Sequence, residues 1–209
     1  MQAFRSSSRP VSHAALSRDI LVRIMTVIIS LLRGINVGGH NKIKMDALRD
    51  LYTNLGLLGA QTLLQSGNVV FRMKGSAHAN VAKRIEDAIE KKFGFRIHVV
   101  SRTSSELSDV ISRCPFAKRK GLDPAKLAVI FLKDSPSAEC LRAALKIETA
   151  PEELHIDGRE AFAYFPNGMG RPKMSWPAIE RALKTSGTNR NWNTVTKLLE
   201  LAQAMESSA

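Results

Sequence analysis

The residues whose types and spacing suit chemistry gather in four short polar stretches. The longest, Arg33-Gly34-Ile35-Asn36-Val37-Gly38-Gly39-His40-Asn41-Lys42, lies between an apolar run and an amphipathic one. Its glycines let backbone N–H groups approach a ligand, and a helix N-terminus beside Lys42 or Lys44 favours an anion, which is the physics of phosphate loops. It is neither a Walker A motif, since the closing lysine-hydroxyl pair is missing, nor a dinucleotide fingerprint. A second stretch, Pro166-Asn167-Gly168-Met169-Gly170-Arg171-Pro172-Lys173-Met174, has a similar composition, and both finish in Lys-Met. The third, Thr188-Asn189-Arg190-Asn191-Trp192-Asn193-Thr194, joins a stacking face, a bidentate fork and amide groups able to hydrogen-bond a base or ribose. The fourth, Gln65-Ser66-Gly67-Asn68, sets a serine beside a glycine, without a G-x-S-x-G elbow or a histidine partner to activate it.

Each stretch also has a purely structural reading, and both readings stay open at the level of sequence. The first two are compatible with tight turns bearing solvated lysines. In the third, Asn191 can cap a helix while Trp192 seals a seam. In the fourth, the polar side chains can simply fix a hairpin. Asp46, Asp50, Asp87, Glu106 and Glu180 fall on amphipathic segments, where a solvated face is the default, so no catalytic residue can be named.

The elements that must position these stretches follow from hydrophobic period. Thr26 to Leu32 is a continuous β-branched run, as for a strand buried on both faces. Met45, Leu48, Leu51, Tyr52 and Leu55 recur at helical spacing before Gly56. Two short strands around 61–64 and 69–73 flank Ser66-Gly67-Asn68 as a hairpin, a helix is predicted over 78–92, and Phe95 to Val100 closes the unit as a strand. That order, β-α-β-β-α-β, is the split βαβ arrangement. Thr103-Ser104-Ser105-Glu106 is a capping box opening a linking helix. Then come a strand at 127–132, a helix opened by Ser135-Pro136, strands near 153–156 and 161–165, a helix from Ser175 to about Lys184, and a final helix through Val195, Leu198, Leu199 and Ala202. The predicted fold is α+β, two ferredoxin-like units in tandem. The second reads as degenerate, without an evident last strand and with an extra C-terminal helix. The divisions are 1–24, 25–101 and 102–209. On this topology the strands before the two helices of a unit are taken as parallel and central, so that the two Lys-Met loops project from equivalent ends.

Composition narrows the function classes. The net charge of +12 attracts polyanions without specifying one. Cys114 and Cys140 are far apart, and the five histidines show no i, i+4 pair, so neither a metal nor a cofactor is expected. Ile20 to Leu32 is too short and too interrupted by Arg23 to span a bilayer, so no membrane association and a cytoplasmic location are expected. Residues 1–24 read as a poorly ordered extension before Met25, although their Ser/Arg composition also suits a transit peptide.

Four stretches, LLRGINVGGHNKIKM (31–45), QSGNVVF (65–71), FPNGMGRPKM (165–174) and TNRNWNTVTKL (188–198), carry a resemblance to the bacterial domain-of-unknown-function family 1697 (DUF1697). The resemblance covers about residues 25–205 and implies two ferredoxin-like units with no assigned activity. It departs at Pro172, where a small polar residue is expected and where proline removes an amide from the loop. The functional expectation is a phosphorylated, nucleotide-like small ligand bound between the halves, held by Arg33, Asn36, Gly38, Gly39, Lys42, Arg171, Lys173 and Arg190, with Trp192 stacking. A nucleic-acid-binding module is the second choice, weakened by an aromatic content of 6%. A non-catalytic scaffold is the third.

Overall fold

A computed structural model describes residues 25–75 and 80–208. The first unit runs β1 (Met25–Leu32), α1 (Met45–Asn54), β2 (Leu58–Leu63), β3 (Asn68–Lys74), α2 (Val81–Phe93) and β4 (Val99–Thr103), and α3 (Ser104–Arg113) follows it. The second repeats that order with β5 (Leu127–Leu132), α4 (Ala138–Ala144), β6 (Glu153–Asp157), β7 (Glu160–Tyr164), α5 (Trp176–Leu183) and β8 (Gly187–Asn191), and α6 (Trp192–Ser207) follows. Two four-stranded sheets form, ordered β2-β3-β1-β4 and β6-β7-β5-β8, with every neighbouring pair antiparallel. The described residues are thus an α+β fold of six helices and two antiparallel sheets.

The central strands are apolar throughout because both of their faces are covered. Ile28 and Leu32 of β1 pack with Leu48, Leu51 and Tyr52 of α1 and with Ile85 and Ile89 of α2. Val27, Ile29 and Leu31 point the other way, into a core shared with Leu127, Val129 and Phe131 of β5 and with Leu107, Val195 and Leu198 from α3 and α6. The remaining face of β5, Ala128, Ile130 and Leu132, packs with Ile179 and Leu183 of α5. The two sheets therefore close over one central core. Helix α3 starts where the capping box requires: the Thr103 hydroxyl accepts from the Glu106 amide, and the Glu106 carboxylate accepts from the Thr103 amide.

Three expectations need correction. The second half is not degenerate, because Gly187–Asn191, read above as a polar loop, is the strand β8 paired along β5. Its sequence, Gly-Thr-Asn-Arg-Asn, has little β propensity, and tertiary pairing at a sheet edge overrides that weakness. Strand β4 lies at 99–103 rather than 95–100. The two Lys-Met loops are not equivalent either. One follows β1, whose counterpart is β5, whereas the other follows β7, which runs antiparallel to β5. The reading of residues 1–24 and the start of the helix expected from 78 lie outside the described residues.

The β2–β3 turn is held tightly under β1. Leu32 donates its amide to the Gly67 carbonyl at 2.7 Å, and a Cβ on Gly67, whose φ is +78°, would stand 2.7 Å from Leu32 Cβ and 3.0 Å from Ile35. Gly67→Ala is expected to destabilise the protein by about 2 kcal/mol or more, since it adds a left-handed backbone penalty to an overpacked contact. Urea unfolding monitored by circular dichroism measures it.

Candidate functional site

The loop between β1 and α1 folds back on itself. The Asn36 amide donates to the Asn41 carbonyl and His40 to Val37, so Gly38 and Gly39 form the tip of a tight two-residue turn. Both have positive φ, as a type I′ turn demands, which explains the glycine pair. The Asn36 side chain ties the loop together: Oδ1 accepts from Ile43, and Nδ2 donates to the carbonyls of Ile43 and Gln65. Between this loop, the start of α1 and the β2–β3 turn lies an open cleft of about 770 Å³, lined by Asn36, Gly39, Lys42, Lys44, Asp46 and Gln65. Ile43 is buried, and Lys42 and Lys44 on either side of it are exposed. No side chain caps α1 at Lys44, and Asp46 is engaged by Arg49.

The second unit holds this loop at two points. Arg33 spans to α5 and pairs with Glu180 through both nitrogens, Nη1–Oε1 at 2.6 Å and Nη2–Oε2 at 2.9 Å. Glu180 also accepts from the Gly187 amide. Burial opposes its charge, yet the bonds from Arg33 and Gly187 keep its pKa below the ordinary carboxylate value. Arg190 of β8 is buried and uses all the donors of its guanidinium. Nε donates to Asn68 Oδ1. Nη1 donates to Thr188 Oγ1 and the Asn189 carbonyl, both at 2.7 Å. Nη2 donates to the carbonyls of Leu32 at 2.8 Å, Ser66 at 3.1 Å and Gly67 at 3.3 Å. Burial pushes its pKa down to about 10.

These contacts sort the residues singled out from sequence. Asn36, Gly39 and Lys42 meet on the cleft, with Gly38 at the turn beside them. Arg33 and Arg190 brace it from behind, Arg190 with all its donors committed to protein atoms and Arg33 with both terminal nitrogens on Glu180. Arg171 and Lys173 are exposed on the β7–α5 loop and are not on the cleft's lining. That loop already holds a carboxylate of its own: buried Glu152 accepts from the Met174 amide at 2.8 Å. Trp192 opens α6, half-buried against the central core, while Asn191 caps that helix through the Asn193 amide. Sequence reasoning passed over Gln65 as a cleft residue and assigned Glu180 to a solvated face. Nothing local marks a carboxylate whose partner lies 147 residues away.

Residues 25–162 match the model of a family described as Protein of unknown function (DUF1697). The chain belongs to the DUF1697 family. The α1 cleft lies within the matched span, whereas Glu180 and Arg190 lie beyond it. A solved structure, that of conserved bacterial protein SP0830 from Streptococcus pneumoniae, is similar to this DUF1697 chain with a TM-score of 0.65 and 24% identity over 85% of this chain and 99% of the other. That likeness concerns the fold. A search of the curated proteins finds no match. Among the described residues, no group of three or more His, Cys, Asp or Glu is placed to hold a metal ion, and no helix is long and apolar enough to cross a membrane.

The two braces should differ in weight. Arg190→Ala takes the guanidinium donor from three buried acceptors, Asn68 Oδ1, Thr188 Oγ1 and the Leu32 carbonyl, and is expected to cost about 3 kcal/mol or more, whereas Arg33→Ala breaks a half-exposed pair and is expected to cost about 1 kcal/mol. The Arg33 contribution depends on pH with a fixed sign. Because Glu180 has a lowered folded pKa, its share is complete above the unfolded carboxylate pKa and is lost as the pH falls through the folded one. Denaturation of wild type and Arg33→Ala should therefore converge on acidification, a result that urea titrations across the acid range measure directly.

Proposed function

We propose that this chain, two ferredoxin-like units in tandem, binds a phosphorylated, nucleotide-like small ligand in the cleft at the start of α1. The first unit carries the site and the second braces it. The observation that carries the reading is the cleft itself, a space of about 770 Å³ at an uncapped helix N-terminus between two exposed lysines and a glycine tip. That volume lies in the range of small-ligand pockets. The α1 dipole and Lys42 and Lys44 favour an anion there, and the first-turn amides supply donors. Gly38, Gly39 and Lys42 keep the ligand-contacting role given to them above, and Lys44 and Gln65 join them. Asn36, Arg33 and Arg190 become residues that shape the loop. Arg171, Lys173 and Trp192 are not used. The proposed compartment is the cytoplasm, supported by Cys114 and Cys140 being unpaired thiols.

The nucleic-acid reading loses its natural platform. A ferredoxin-like sheet that binds RNA presents an open face, and here that face of each sheet is buried in the central core.

Thermal shift with inorganic phosphate, pyrophosphate and a panel of nucleotides tests the proposal. At least one should raise Tm by about 5 °C at a concentration one hundred times its Kd. A Lys42→Ala/Lys44→Ala variant should keep the unliganded Tm and lose the shift. A flat response to every compound at millimolar concentration, or a shift that survives both substitutions, refutes it.

A further inference from the structure

The braces belong to a reciprocal arrangement. In the β1–β4 register Ile29 faces Arg102, and in the β5–β8 register Val129 faces Arg190. Leu31 pairs with Asn68 as Phe131 pairs with Glu160, and Leu32 donates to Gly67 as Leu132 donates to Arg159 at 2.8 Å. Arg102 and Arg190 thus occupy matching positions in the two units, and each plugs the end of the other unit. Arg102 Nε donates to Glu160 at 2.9 Å and Nη2 to the carbonyls of Leu132 at 3.3 Å and Arg159 at 3.4 Å. Arg190 makes the corresponding bonds to Asn68, Leu32 and Gly67. These three partners match position for position, with a single difference in charge, while Arg190 alone reaches two more, Thr188 Oγ1 and the Ser66 carbonyl. Position 160 is a carboxylate, which also takes Arg113 at 3.0 Å, whereas position 68 is a neutral amide.

We infer that Arg190 biases the α1 cleft toward anions by its charge alone, without touching the ligand, because position 68 leaves that charge uncompensated. This rests on the reading of the cleft as a phosphate site. Among the described residues no carboxylate pairs with Arg190, and burial alone moves its pKa, which still leaves it charged at neutral pH. Its Nη2 grips the Ser66 carbonyl, and the preceding residue, Gln65, lines the cleft, so the charge sits just behind the cleft wall. A buried charge reached through protein is weakly screened. Beside the exposed Lys42 and Lys44, which add to the same potential, the neighbouring charges cancel in pairs, Arg33 with Glu180 and Arg49 with Asp46. The ligand supplies the countercharge that Glu160 supplies to Arg102.

Two substitutions separate charge from scaffold. Asn68→Asp gives Arg190 a carboxylate and keeps the fork, whereas Arg190→Lys keeps the charge and loses the fork. A Gln65→Cys thiol in a Cys140→Ser background reports the potential at the cleft in phosphate-free buffer, through the pH dependence of its alkylation. Its pKa should rise by about half a unit or more with Asn68→Asp and stay in place with Arg190→Lys. Affinity for inorganic phosphate should fall about threefold to tenfold with Asn68→Asp and less with Arg190→Lys. An unmoved thiol in Asn68→Asp, or the larger loss in Arg190→Lys, overturns the inference. A moved thiol in a protein that binds no phosphate upholds the charge effect and removes the ligand reading. Since Asn68 also donates to Leu63 and Ser66 and its replacement can impair folding, a second measurement uses the native Asn68. With Lys42→Ala/Lys44→Ala, the reporter thiol should still titrate below the ordinary value of about 8.5, and titration at or above it overturns the inference.

Discussion

An arginine buried at a seam can be satisfied in few ways, and this molecule is arranged around two of them. Each guanidinium brings a fork of donors that must all find acceptors once water is excluded. The acceptors available are the carbonyls at the end of a central strand and in a hairpin turn of the opposite unit. Meeting that demand twice, in opposite directions, fixes how the units face each other. It also explains why a segment as polar as Gly187–Asn191 runs as a strand, since only the β8 position carries Arg190 to its acceptors.

Closing the two sheets over a shared core has a consequence for function. Sheet faces are consumed by packing, so recognition falls to the loops at the strand ends. The β1–α1 loop leaves a roomy cleft, because its glycine tip turns back and Asn36 pins its base while two lysines stay outside. The β7–α5 loop, so similar in composition, is tied by its Met174 amide to Glu152 and borders a smaller pocket, of about 170 Å³, lined by Met169, Pro172 and Trp176. Neither of the helices that follow has a side-chain cap, so the two stretches of like residues differ in the space beside them rather than in their helix ends.

Much of this was legible in the sequence, and what escaped shares one physical cause. Strand β1, helices α1 and α3 and the β2–β3 hairpin follow from local period, capping and turn chemistry, and the structure places them within a few residues of expectation. The glycines and lysines of the first loop announced themselves by type. What could not be read was the destination of long polar side chains. Arg33 and Arg190 have the chemistry of anion ligands, and only the docking of one unit on the other shows Arg33 paired with Glu180 and the donors of Arg190 committed to protein atoms. Trp192 likewise looks like a stacking platform until the central core covers part of it. Strand β8 escaped because its pairing is decided by the partner strand rather than by its own residues.

The central claim is that one end of the first unit, and no other polar loop, receives a phosphorylated guest. Backbone amide chemical shifts followed during titration with inorganic phosphate test this most directly. The account predicts saturable changes confined to Gly38 through Asp46 and to Gln65, with Gly168 through Lys173 unmoved. Changes centred on the latter segment, or no saturable change anywhere, would contradict it.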